Sequence, residues 1–151
     1  MIFSRKITGR ATTARSGFSL MELMIAIAVL GLILAVAGPA LMRQYRSAQK
    51  KTAMTSIKLL KSTIEMFELD VGKLPEKLRD LVKRPSPGGY YNSEEISNWQ
   101  DGGYLKTKKV PVDPWKNKFR YRLIPDGRRY ELYSYGPNGK GSPKSEWIRT
   151  K

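Results

Sequence analysis

Phe18-Ser19-Leu20-Met21-Glu22, followed by LMIAIAVLGLILAVAGPALM from Leu23 to Met42, decides the fold. Leu23 to Met42 holds no ionisable side chain over 20 residues. As an α-helix such a stretch is about 30 Å long, the thickness of a hydrocarbon core. The mean hydropathy of the whole chain is negative, so this is one apolar segment on an otherwise polar protein. A buried helix of a water-soluble domain fits its length and purity poorly. A secretory signal peptide would use Ala35-Val36-Ala37 as its cleavage site. Its basic region would then run past 20 residues and include Glu22, and the apolar run would continue beyond the cut to Met42. A membrane-spanning helix is the better reading.

The flank of this helix is basic. Residues 1–17 contain Arg5, Lys6, Arg10 and Arg15 and no acid. Glu22 stands out, because a carboxylate at the edge of a membrane span is costly unless it is paired or reaches water. Negative charge near a helix N-terminus is favourable, which is sufficient reason for an interfacial Glu. A second reading supplies a partner: cleavage after Gly17 would free an α-amino group on Phe18. Between neighbouring subunits that amine and Glu22 would pair, and a mismatched stagger would leave a charge unpaired in lipid.

Composition excludes much chemistry. The 151 residues include 28 Lys and Arg, 13 Asp and Glu, no His and no Cys, for a net charge of +15. Disulfides, thiolate zinc sites, cysteine nucleophiles and imidazole bases are ruled out. No P-loop, H-E-x-x-H or G-x-S-x-G motif occurs. Glu65, Glu68 and Asp70, and the adjacent Glu94 and Glu95, read as solvated surface, so no catalytic residue is assigned. The excess of cations suggests an anionic partner. Trp115-Lys116-Asn117-Lys118-Phe119-Arg120-Tyr121-Arg122 interleaves aromatics with cations, as a nucleic-acid platform would. A half-buried strand produces the same pattern, and the strand reading is preferred over nucleic acid.

Beyond Met42 the helical pattern continues. Ala53, Ile57, Leu60, Ile64 and Phe67 recur at spacings of four and three, a stripe that packs on a small domain. Gly72 and Pro75 end it. Leu78 to Val82 suggests a short second helix, and little regular structure is expected from Arg84 to Gly103. Pro111-Val112-Asp113-Pro114-Trp115 predicts a fixed turn with an aromatic anchor. Phe119, Tyr121 and Leu123, then Tyr130, Leu132 and Ser134, alternate with polar residues around Pro125-Asp126-Gly127 and predict an antiparallel hairpin. Trp147 is placed to tuck back a tail that begins Gly136-Pro137-Asn138-Gly139.

Arg15-Ser16-Gly17-Phe18-Ser19-Leu20-Met21-Glu22 resembles the signal of type IV pilins and type II secretion pseudopilins: a basic leader ending in Gly, then Phe-(Thr/Ser)-Leu-x-Glu and an apolar helix. The ordered set Asp70-x-Gly72-x-x-Pro75, Gly103-Tyr104-Leu105, Pro111-x-Asp113-Pro114-Trp115-x-Asn117 and Ser134-x-Gly136-Pro137-Asn138-Gly139 resembles the major, G-type pseudopilin. The resemblance covers residues 15 to about 139. It implies an α+β, pilin-like fold: a long N-terminal helix, its first half transmembrane, packed on a small antiparallel hairpin domain. It divides the chain into a leader over 1–17, a membrane and assembly helix over 18–42, and a periplasmic domain over 43–151. Cleavage falls between Gly17 and Phe18, Phe18 is N-methylated, Glu22 is the assembly carboxylate, and Gly31 and Pro39 lend the helix flexibility. Function follows as a structural, non-enzymatic subunit of the secretion pseudopilus in the inner membrane. Its partners are copies of itself, minor pseudopilins, a prepilin peptidase, the inner-membrane assembly platform and membrane lipid. A type IV pilin or competence pseudopilin is the alternative.

One departure bears on cofactors. Many G-type pseudopilins place several aspartates after Gly-Pro-Asp-Gly and bind calcium, which takes six to eight oxygen ligands. Here the loop has Asn138, Lys140, Lys144 and a single acid, Glu146. The expectation is therefore no cofactor, with Asn138 and Glu146 the nearest calcium donors and Trp147 packing in the metal's place.

Overall fold

The structure, a computed structural model, describes residues 17–149. The expected leader lies almost wholly outside them. Helix α1 spans Leu20–Val71, strands β1 and β2 span Arg120–Leu123 and Tyr130–Tyr133, and short 3-10 turns occupy Leu78–Leu81, Glu95–Asn98 and Lys144–Glu146. The chain divides between Met42 and Arg43 into two units.

In the first unit the helix begins two residues later than Phe18. Ser19 caps it: its Oγ accepts from the Met21 N–H at 3.3 Å, and its carbonyl accepts from Leu23 N–H at 3.1 Å. Serine is favoured there because its hydroxyl satisfies an N–H that has no partner within the helix. The helix is long and apolar enough to cross a membrane, and its apolar window is wholly exposed.

In the second unit the core is organised by α1. Ala53, Ile57, Leu60, Ile64, Phe67 and Val71 are buried in one stripe. Gly72 stops the helix at φ +78°, where a side chain would be strained, and donates to Glu68 O at 2.8 Å. Leu74, Leu78, Leu81, Tyr91, Ile96, Trp99, Leu105, Phe119, Leu132 and Ile148 complete the core. Phe67 lies edge-on to Tyr91 at 6.0 Å and tilted against Tyr104 at 5.3 Å.

β1 and β2 form an antiparallel pair with Arg120 opposite Tyr133 and Leu123 opposite Tyr130. A turn over Ile124–Gly127 joins them, closed by Gly127 N–H donating to Ile124 O at 2.9 Å. Alternation sorts the residues as the sequence predicts: Arg120 and Arg122 are exposed, while Tyr121 and Leu123 are half-buried. The expected second helix is a single 3-10 turn. The span read as irregular holds another at Glu95–Asn98, preceded by a reciprocal pair of bonds: Glu95 N–H donates to Asn92 Oδ1 at 2.7 Å, and Asn92 N–H to Glu95 Oε2 at 2.9 Å.

Candidate functional site

The predicted assembly residues lie in the first unit. Phe18 is 85% exposed and Glu22 sits in the first turn of α1. Gly31 and Pro39 lie in the helix interior, and α1 stays continuous through both. Pro39 lacks the N–H that would bond back one turn, so the ladder has a missing rung there. From Phe18 to Met42 the large apolar side chains face outward around the helix, at 51–85% exposure. A helix apolar on all sides belongs in lipid or in a bundle of like helices.

The two motifs of the globular unit form one hydrogen-bonded structure. Asp113, 3% exposed, accepts through Oδ1 from the N–H groups of Trp115 at 3.0 Å and Asn117 at 2.7 Å. Its own N–H donates to Asn117 O at 2.8 Å and its carbonyl accepts from Lys116 N–H at 2.9 Å. Lys116 takes a left-handed φ of 68° to complete the turn. Pro111 and Pro114 are half-buried on either side. Trp115 Nε1 donates to Gln49 Oε1 on α1 at 3.2 Å, anchoring the turn to the helix. Through Oδ2, Asp113 accepts from Ser134 Oγ at 2.6 Å, and Ser134 Oγ accepts in turn from Gly136 N–H at 2.9 Å. Gly136 is required twice: its φ is +78°, and a Cβ there would lie 2.9 Å from Glu146 O. Pro137 follows on the surface.

The loop after Gly136 is tied together by its own hydrogen bonds. Asn138 Nδ2 donates to Glu146 Oε2 at 2.7 Å. Four of the loop's carbonyls accept from the loop itself: Gly136 from Gly139, Gly139 from Ser142, Pro143 from Glu146, and Ser142 from Trp147 Nε1. Among the described residues no three acidic side chains gather in a metal-binding group.

Two features were not read from the sequence. Asp80, 7% exposed, accepts through Oδ2 from Tyr91 OH at 2.9 Å and Lys77 N–H at 3.0 Å, while its carbonyl accepts from Trp99 Nε1 at 2.9 Å. Burial raises its carboxyl above the usual range despite these donors, and burial also raises the Tyr91 hydroxyl. Glu95, read as solvated, pairs with Lys73 Nζ at 2.7 Å, and that contact lowers its carboxyl. In the stretch weighed for nucleic acid, Phe119 is buried, Trp115 and Tyr121 are half-buried, and Arg122 pairs with Glu131 at 2.9 Å. Those aromatics serve the core rather than offering faces for stacking bases.

Comparison with known proteins bears on the whole chain. The family described as "Type II secretion system (T2SS), protein G" matches residues 40–148, and the "Prokaryotic N-terminal methylation motif" matches residues 12–38. Type II secretion system core protein G of Pseudomonas aeruginosa is 34% identical over 129 residues, covering 83% of this chain and 86% of its own. Its counterpart from Xanthomonas campestris pv. campestris is 35% identical over 140 residues, covering 92% and 91%. Among solved structures, the major pseudopilin from the type 2 secretion system of enterohaemorrhagic Escherichia coli is similar with a TM-score of 0.56 and 26% identity. That similarity covers 72% of this chain and 90% of the other.

Proposed function

The chain belongs to the protein G family of the type II secretion system, whose members are structural pseudopilus subunits, and from that premise we propose how it is processed, anchored and polymerised. A prepilin peptidase cuts between Gly17 and Phe18 and methylates the new amine. The helix from Phe18 to Met42 holds the subunit in the inner membrane, and residues 43–151 fold in the periplasm. On assembly the apolar helices leave lipid for one another. Glu22 then meets the Phe18 amine of a neighbouring copy, and the cost of an unpaired charge in an apolar bundle fixes the axial register. Minor pseudopilins and the inner-membrane assembly platform join the growing filament, which drives folded proteins through the outer membrane. The subunit is not itself a catalyst.

The observation that carries this reading is the family match over residues 40–148. It falls on the globular unit, where pilin-like proteins diverge, and not only on the N-terminal segment they share. For that reason a type IV pilin or competence pseudopilin is not favoured. Deleting the gene should trap exported proteins in the periplasm and leave twitching motility and DNA uptake unchanged, with secretion restored by the wild-type copy. Normal secretion accompanied by lost motility would overturn the assignment.

A further inference from the structure

We propose that the C-terminal loop, Gly136 to Trp147, is a metal-independent clasp, closed by an amide–carboxylate bond and an aromatic stack in place of a bound cation. The two ends of the loop are brought together by backbone pairing: Ser134 and Ile148 exchange both N–H···O bonds at 2.9 Å. Within the loop, Asn138 Nδ2 reaches across to Glu146 Oε2 at 2.7 Å. A neutral donor bonded to a carboxylate satisfies the one acid of the loop without a counter-ion.

The tryptophan supplies the packing. Trp147 lies flat on Tyr133, with ring centroids 4.3 Å apart and planes 2° from parallel. Tyr135 meets it edge-on at 5.3 Å, and the Arg120 guanidinium covers the Tyr135 ring at 5.3 Å. Trp147 Nε1 donates to Ser142 O at 2.9 Å, and Ser142 Oγ donates to Tyr135 O at 2.8 Å. The indole therefore holds the middle of the loop by its polar edge and the sheet by its face. Lys140 and Lys144, both exposed, add positive charge around Glu146 and repel a divalent cation. The loop's single carboxylate already accepts a bond inside the loop, and its two lysines bring charge of the wrong sign for a cation.

The test uses the full chain in detergent micelles, pulsed with trypsin, with the fragment ending at Lys140 followed by mass. Wild type is expected to be cut after Lys140 at the same rate in excess calcium chloride and in EDTA. Trp147→Ala should raise that rate about tenfold in both, while cleavage after Lys61 in α1 stays unchanged. Should Trp147→Ala unfold the whole domain, Asn138→Ala decides, since it removes the donor to Glu146 from an exposed position. Faster cleavage after Lys140, with Lys61 still protected, supports the clasp. Overturning results are a wild-type loop that EDTA makes labile, stoichiometric calcium binding by calorimetry, or an Asn138→Ala rate equal to wild type.

Discussion

At the scale of single residues, the chain buries two carboxylates and satisfies them differently. Asp113 takes N–H groups from residues two and four positions ahead, a turn signature that Pro-x-Asp-Pro announces in the sequence. Asp80 takes its donors from Lys77 and from Tyr91, and its carbonyl serves Trp99. Those aromatics lie 11 and 19 residues on, across a Pro- and Gly-rich loop, so no local pattern reveals the cluster. Asp80 has a measurable consequence. Its carboxyl is raised by burial, so the native state holds the proton more tightly than the unfolded chain. Stability from this group is fully present below the ordinary carboxylate range and is lost as pH rises through the raised value. Asp80→Asn keeps an acceptor for Tyr91 but cannot ionise. It should flatten that part of the profile in urea denaturation series from acid to neutral pH; an unchanged slope would contradict the assignment. At the other end of the chain, Gly17→Asp should leave an uncut precursor. Intact mass of the membrane-extracted wild type should show loss of residues 1–17 and one added methyl group. A cut after Ala37, or none, would refute the proposed site.

At the scale of elements, α1 and the hairpin were legible because each carries a hydrophobic period: four-and-three spacing along Ala53 to Phe67, alternation along Tyr121 to Leu132. The 3-10 turn at Glu95–Asn98 is too short to carry one. Its available signal is the spacing of Asn92 and Glu95, which bond reciprocally just before it. The stripe on α1 also fixes where stability resides. Leu60 is fully buried between Ile57 and Ile64. Leu60→Ala should cost about 2–5 kcal/mol, the loss of apolar transfer plus the cavity left behind. The urea midpoint should fall with little change in slope, whereas a substitution at exposed Leu59, on the opposite face, should move it far less.

At the scale of the whole molecule, positive charge lies on both sides of the apolar span, while the buried core lies on one. Four of the fifteen net positive charges precede the apolar span at Arg5, Lys6, Arg10 and Arg15. Four more cations, Arg43, Arg46, Lys50 and Lys51, follow the apolar span directly, where anionic headgroups would meet them. Residues 52–151 carry a further 20 cations against 12 acids, so a net +8 is spread over the globular unit. Every residue of the buried core lies beyond Arg43. A 43–151 fragment should therefore be soluble and melt in one cooperative transition by circular dichroism; a gradual melt would show that the apolar helix is needed for folding. The bond network from Asp113 through Ser134 to Gly136 adds a consequence for descent. Two motifs separated along the chain share one buried hydroxyl, so neither half is heritable alone. A lineage that lost Ser134 would leave one buried oxygen of Asp113, Oδ2, without its donor, which favours replacing Asp113 in its turn. Among relatives these positions should appear or vanish as a set, and a gene spliced between two parents in the interval from Asn117 to Ser134 should tolerate the join only when both parents carry the pair.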